Sequence, residues 1–130
     1  ETDLVSSDDT NDASVGIKLV HGENSFVMCG DASENSESAM VKRFGSALEC
    51  DVLKCGHHGS RTSTSEVFLK ATNPTWAVIS CGVDNSYGHP HQETLERLNN
   101  DDVQVYRTDL LGTIIATSDG TNISWFSEKE

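Results

Sequence analysis

The sequence predicts a layered α/β fold, on three observations. Short apolar runs, among them 25–29, 51–55 and 76–80, read as buried strands. Segments with helical spacing separate these runs, which favours a sheet with packed helices over a bundle or a sandwich. Both ends of the chain are strand-like without helices, so the order is roughly ββαβαβαβββ. At 130 residues the chain is of one-domain size and can bury a moderate core.

Each element has a local justification. Residues 1–12 are rich in Asp, Ser and Thr and nearly free of apolar side chains, the composition of a flexible acidic linker, so the folded unit is expected over 13–127. Val15 to Val20 and Ser25 to Cys29 are β runs around His21-Gly22-Glu23-Asn24, a hairpin by its turn chemistry. Ser33 to Phe44 has Ser36, Met40, Val41 and Phe44 at helical spacing. Ser33 is its candidate cap, Glu34 and Glu37 fall in the first turn, Lys42 and Arg43 in the last, and Gly45 stops it. Val52 to Cys55 is the next strand.

A second helix is expected to begin near Ser63, where Ser63-Thr64-Ser65-Glu66 reads as a capping box. Val67, Phe68 and Ala71 form its apolar face and Asn73-Pro74 ends it. Trp76 to Ser80 is a strongly apolar strand. After the loop Gly82 to Pro90, a helix over Pro90 to Leu98 buries Leu95 and Leu98. Val103 to Tyr106 and Thr113 to Ala116 read as strands joined around Asp109 to Gly112. A last strand, Asn122 to Phe126, follows the turn Ser118-Asp119-Gly120.

Charge and composition bound the function. No apolar run approaches membrane-spanning length, so no membrane contact is expected from this segment itself. The chain starts Glu-Thr-Asp-Leu, without an initiator Met or a signal pattern, and is expected to be cut from a longer protein. The net charge of −12, from 21 acidic and 9 basic residues, repels a polyanion from the surface as a whole and disfavours wide nucleic-acid tracking. It fits either solubility in a halophilic or extracytoplasmic setting or an electrostatic well for divalent cations. The four cysteines lack a CxxC pair, which speaks against a disulfide scaffold or zinc knuckle. Cys29, Cys55 and Cys81 each precede Gly at a strand end, where a thiol packs as a small hydrophobe.

Three loops carry chemistry. Gly30-Asp31 follows the strand 25–29, and Gly lets the carboxylate project over the sheet edge; the same pair also suits a helix cap. Cys55-Gly56-His57-His58-Gly59-Ser60-Arg61 follows the next strand. Two adjacent imidazoles diverge, so one suits a metal and the other a substrate or an outer position. Carboxylate oxygen with imidazole nitrogen is ligand chemistry for Zn²⁺ or a similar divalent ion. Ser60 and Ser63 lack a nucleophile-elbow context and are expected to hydrogen-bond or cap. Arg61 either clamps a phosphate or is an ordinary surface cation. Asn85-Ser86-Tyr87-Gly88-His89-Pro90-His91 is the third loop: His89 is a candidate ligand, substrate contact or proton shuttle, and His91 is expected at the surface or behind the site. His21 reads as an ordinary surface residue. If the strands are parallel, all three loops meet at one sheet edge.

At these residues the chain resembles the metallo-β-lactamase superfamily, and more narrowly the hydrolase domain of ComEC-type competence proteins, which take up DNA, and their stand-alone relatives. The resemblance runs from about residue 11 to 126 through Asn11 to Val15, Cys29-Gly30-Asp31, Asp51 to Ser65, Asn85 to His91, and Tyr106 to Asp109 with Gly112-Thr113-Ile114. It implies half of an αββα sandwich, a mixed sheet with helices on one face and a metal site at the sheet edge. It implies Asp31 as the carboxylate that bridges two metals and His57, with His58 as alternative, as the late histidine ligand; His89 falls where the family keeps a further histidine.

The family's early HxHxDH-type or HxDxDH-type cluster is absent, since His21 is the only histidine before His57. The chain is therefore expected to be the C-terminal half of such a domain, inactive alone. The resemblance implies two Zn²⁺ or Mn²⁺ ions in the intact domain, hydrolysis of DNA or another phosphodiester, and the missing N-terminal half as partner. A homo-oligomer is the other association to expect. It also implies an extracytoplasmic or membrane-attached location if the parent is part of a competence channel. The rival expectation is a non-catalytic half-domain that acts as a binding or interaction module.

Overall fold

The computed structural model of the chain describes residues 10–130. The first hairpin forms where the alternation places it: β1 (Ile17–His21) and β2 (Asn24–Met28) pair antiparallel, with Leu19 across from Phe26. From β2 onward the chain repeats one move. α1 (Glu34–Phe44) leads to β3 (Val52–Lys54), α2 (Glu66–Thr72) to β4 (Trp76–Ile79), and α3 (Gln92–Asn100) to β5 (Gln104–Arg107). β2 to β5 are parallel neighbours in chain order, so the five-stranded sheet is mixed, with its antiparallel pair at the β1 edge. Right-handed crossovers that all advance the same way put their helices on one face.

The core lies between that face and the helices. Val27, Leu53, Ala77 and Val105 form one registered row. Phe68, Leu69 and Leu98, none more than 2% exposed, close over it. Cys29, Cys50 and Cys55 are buried and unpaired there. Burial pushes the Cys55 thiol up to about 12, so it packs as the neutral, small apolar group its position suggests.

The opposite face is covered only in part. After the one-turn helix α4 (Thr108–Leu111), β6 (Ile114–Ser118) and β7 (Ile123–Ser127) form a separate antiparallel hairpin. Trp125 of β7 stacks on Tyr106 with ring centroids 4.2 Å apart and meets Trp76 at 5.8 Å. Those two rings alternate with Ala77 and Val105 along their strands and so point away from the helices. The hairpin also reaches the first turn: Glu23 N–H donates to Gly120 O at 2.7 Å, and His21 Nδ1 lies 2.9 Å from Ser118 Oγ. At the β1 end, Ile17 and Leu19 share this face with Met28 and Phe26 and are 52% and 56% exposed.

Several element ends differ from expectation for local reasons. α2 starts at Glu66 with Ser65 as its cap, whose hydroxyl accepts from Phe68 N–H at 3.2 Å. Ser63 cannot begin it, because Thr64 sits in the left-handed region (φ 55°) and Ser63 Oγ donates to Ala32 O at 2.6 Å. Ser33 does occupy the N-cap position of α1, but its hydroxyl binds the Asp12 carboxylate. Of the expected linker, residues 1–9 lie outside the described residues. Thr10–Ala13 form a 3₁₀ turn, and Asp12 accepts from Ser33 N–H and Ser36 Oγ at 3.2 and 2.8 Å, which joins it to the folded unit. Among the described residues no helix is long and apolar enough to cross a membrane.

Candidate functional site

Parallel strands entering from one side deliver their following loops to one rim. The loops after β2, β3 and β4 meet there and are joined through their backbones. His57 N–H donates to Gly30 O at 3.0 Å, which joins the first loop to the second. His91 N–H donates to Gly59 O at 3.0 Å, and His91 Nδ1 accepts from Arg61 N–H at 2.9 Å, which join the second to the third. His91 is the N-cap residue of α3, which starts at Gln92 rather than at Pro90. Far from a free surface residue, it stands behind the rim and clasps two loops.

The carboxylate and the histidine doublet do meet. Asp31 Oδ1 lies 3.8 Å from His58 Nε2, with the two side chains 41% and 50% exposed. His58 Nδ1 lies 2.8 Å from Ser80 O. A carbonyl can only accept, so Nδ1 carries the proton and a neutral His58 presents the lone pair of Nε2 toward Asp31. His57 turns aside, with its ring centroid 6.3 Å from His58 and 5.6 Å from His89. The backbone explains the divergence: both histidines are left-handed, at φ 50° and 57°, inside the 3₁₀ segment Gly56–Gly59. His89 completes the group, stacked on His58 at 6.1 Å and edge-on to His91 at 4.8 Å.

Their fit to a divalent ion can be judged from the donors. At 3.8 Å the Asp31–His58 approach is too long for a hydrogen bond. It is within the reach of two ligands sharing one ion at bond lengths of about 2.1 Å. The Nδ1–carbonyl bond is also the support that ligating histidines commonly have. The pair fits as a fraction of a site: among the described residues no group of three or more His, Cys, Asp or Glu is placed to hold a metal alone.

The remaining rim residues support these. Ser60 Oγ bonds Thr62 Oγ1 at 2.9 Å, as a loop-bracing hydroxyl. Arg61 pairs with Glu93 at 3.0 Å. Beyond β5, Thr108 Oγ1 bonds Cys81 N–H and O, both at 3.0 Å, and Arg107 pairs with Asp109 at 2.7 Å. The Arg107 guanidinium holds the Asp109 carboxyl below its ordinary range. Sequence reasoning gave no role to Arg97, which donates to the carbonyls of Arg61 and Thr64 at 2.9 Å each and so props the histidine loop. It also left Tyr87 unassigned, and that ring stacks on His89 at 5.6 Å. The helical spacing of Arg97 carries no hint of either, because its partners lie more than thirty positions upstream.

Burial, and then the charges of His91, His57 and His58, hold the His89 imidazole below its ordinary value, with Asp31 opposing. His89 is therefore neutral at pH 7 and able to take a proton. An NMR titration of the histidine ring protons is expected to give His89 a midpoint below 6.5, and His91→Asn is expected to raise it. A midpoint at or above that value would contradict the crowding of imidazoles described here.

The chain is similar to competence proteins. It is 39% identical over 104 residues to ComE operon protein 3 of Bacillus subtilis, a stretch covering 80% of this chain and 13% of that protein. It is 38% identical over 106 residues to competence protein ComA of Neisseria gonorrhoeae, covering 82% and 15%. It is also 38% identical over 104 residues to recombination protein 2 of Haemophilus influenzae, covering 80% and 13%. The chain thus spans about a seventh of the length of these curated relatives or less. No protein-family model matches it.

Proposed function

We propose that the chain belongs to the DNA-uptake machinery of competence and carries part of a metal-dependent phosphodiesterase site. The observation that carries this reading is the Asp31–His58 pair, 3.8 Å apart, with His58 fixed by Ser80 O. The similarity to competence relatives supplies the DNA context. A bound Zn²⁺ or Mn²⁺ supplies Lewis acidity toward a phosphoryl oxygen and lowers the pKa of water. Asp31 and His58 would hold such an ion at the rim, with His57 beside the His89 ring. Neutral His89 takes up a proton or contacts the phosphate. Under this reading further ligands would come from a preceding segment of a longer protein, one bearing the early histidine–aspartate cluster that the resemblance implies. The charge of −12 means that attraction for DNA also has to come from elsewhere in the assembled protein.

The test joins the chain to that preceding segment and measures release of nucleotides from DNA with Zn²⁺ or Mn²⁺. Activity is expected to appear on joining and to fall at least about a hundredfold on Asp31→Ala, since loss of a partner that merely supports a ligand already costs about 10–100-fold. Inertness of the joined protein with both ions would sink the hydrolase reading. The lack of a complete ligand group among the described residues favours a second reading, a non-catalytic binding module. Under it, metal content stays at zero even after joining.

A further inference from the structure

We propose that Tyr87 is a stacking platform for one base of a single-stranded nucleic acid whose phosphate lies at the Asp31–His58 rim. The inference rests on the phosphodiesterase reading above and names how its substrate is gripped. Three rings form a ladder that starts at the rim and ends in solvent. His58 stacks on His89 with an interplanar angle of 21°, and His89 on Tyr87 with one of 18°. Tyr87 is 75% exposed, so one face of its ring is free.

An exposed tyrosine on a loose loop would mean little. This one is fixed at both ends of its peptide unit. Asn85 Oδ1 accepts from Tyr87 N–H at 3.2 Å and from His89 N–H at 2.9 Å. Asn85 Nδ2 donates to Gly82 O and to His89 O at 3.0 and 2.6 Å. His91 Nε2 donates to Tyr87 O at 3.2 Å. The ring is presented in advance, which lowers the ordering cost of whatever stacks on it.

The chemistry of the occupant follows from two facts. A free aromatic face accepts any base, but only a base that has left a duplex stack can reach it. Stacking also needs no positive surface, which suits a chain whose net charge of −12 weakens the usual attraction for phosphate. The ladder then ends a short way along the strand from the carboxylate and imidazole that face the phosphate.

The test is fluorescence anisotropy of a labelled ten-nucleotide thymidine strand with the whole chain, in EDTA and about 0.3 M salt, which screens the repulsion between the acidic chain and the strand. Parallel runs use an abasic strand of equal length and a duplex. Tyr87→Ala is expected to weaken binding of the thymidine strand about tenfold, the size of one lost base stack, and Tyr87→Phe to leave it within about twofold. The abasic strand and the duplex are expected to bind weakly and to ignore both substitutions. Equal affinity of wild type and Tyr87→Ala, an equal loss on the abasic strand, or no binding at all would each overturn the platform. Zn²⁺ uptake by calorimetry reads the metal proposal separately. A Tyr87 effect without Zn²⁺ uptake removes only the metal, and Zn²⁺ uptake without a Tyr87 effect removes only the platform.

Discussion

Glu37→Ala is expected to cost about 2–4 kcal/mol of folding stability, because it strips the acceptor from two backbone N–H groups at the start of α2. Glu37 is 2% exposed, and its two oxygens accept from Thr64 N–H at 2.6 Å and Ser65 N–H at 2.9 Å. The first of these bonds holds Thr64 in its left-handed conformation, and the second fixes the cap residue Ser65. No other acceptor replaces them, and water does not reach the Thr64 amide. Glu37→Gln keeps the volume but puts an NH₂ against an N–H donor, so it recovers only part of the loss.

The pH dependence of the same residue has a definite sign. Burial raises the Glu37 carboxyl above its ordinary 4.5, with the Ser65 and Thr64 N–H bonds opposing. The folded protein therefore holds this proton more tightly than the unfolded chain. Its contribution is fully present below about 4.5 and is lost as the pH rises through the elevated value. Urea unfolding across that window is expected to show a declining stability that Glu37→Gln flattens. A Glu37→Ala protein as stable as wild type at pH 7 would refute the clamp.

Gly59→Ala is expected to be of similar size, again about 2–4 kcal/mol, from overpacking added to a backbone penalty. Gly59 has φ 82°, and a Cβ there would stand 2.7 Å from Pro90 Cβ and 3.1 Å from Ile79 Cγ2. Neither neighbour has a flexible end to withdraw. The histidine loop would be driven off the third loop, opening the bond from His91 N–H to Gly59 O and separating the His58 and His89 rings. A thermal melt reads the stability, and the ring-proton shifts of His58 and His89 read the separation. An alanine variant with unchanged melt and shifts would show that the loops are not in contact through this glycine.

How much of this was legible in the sequence depends on how far each interaction reaches. Strands 25–29, 51–55 and 76–80 announced themselves because a buried strand is a local apolar run. The convergence of Asp31 with the histidine doublet followed from parallel topology alone. Which histidine faces Asp31 did not follow, since it depends on two consecutive left-handed residues that no spacing encodes. The α2 start was misplaced by two residues because three of the four residues from Ser63 to Glu66 have a hydroxyl. Only the Glu37 carboxylate, 27 positions away, decides which serves as cap. Glu37 itself read only as an acid in the first turn of α1, with nothing local to mark its burial. Trp125 was recognised as part of a strand, yet its seat between Trp76 and Tyr106 depends on a sheet face that periodicity does not assign.

The strand order of the main sheet has a consequence for biosynthesis. β1 to β5 lie side by side in the order in which they are made. As the ribosome releases each helix-and-strand unit, the newest strand docks on an edge that is already complete, without waiting for distant sequence or displacing an earlier neighbour. Chains truncated after Asn100 and released are expected to hold the first four strands zipped, with the β4 edge open for the fifth.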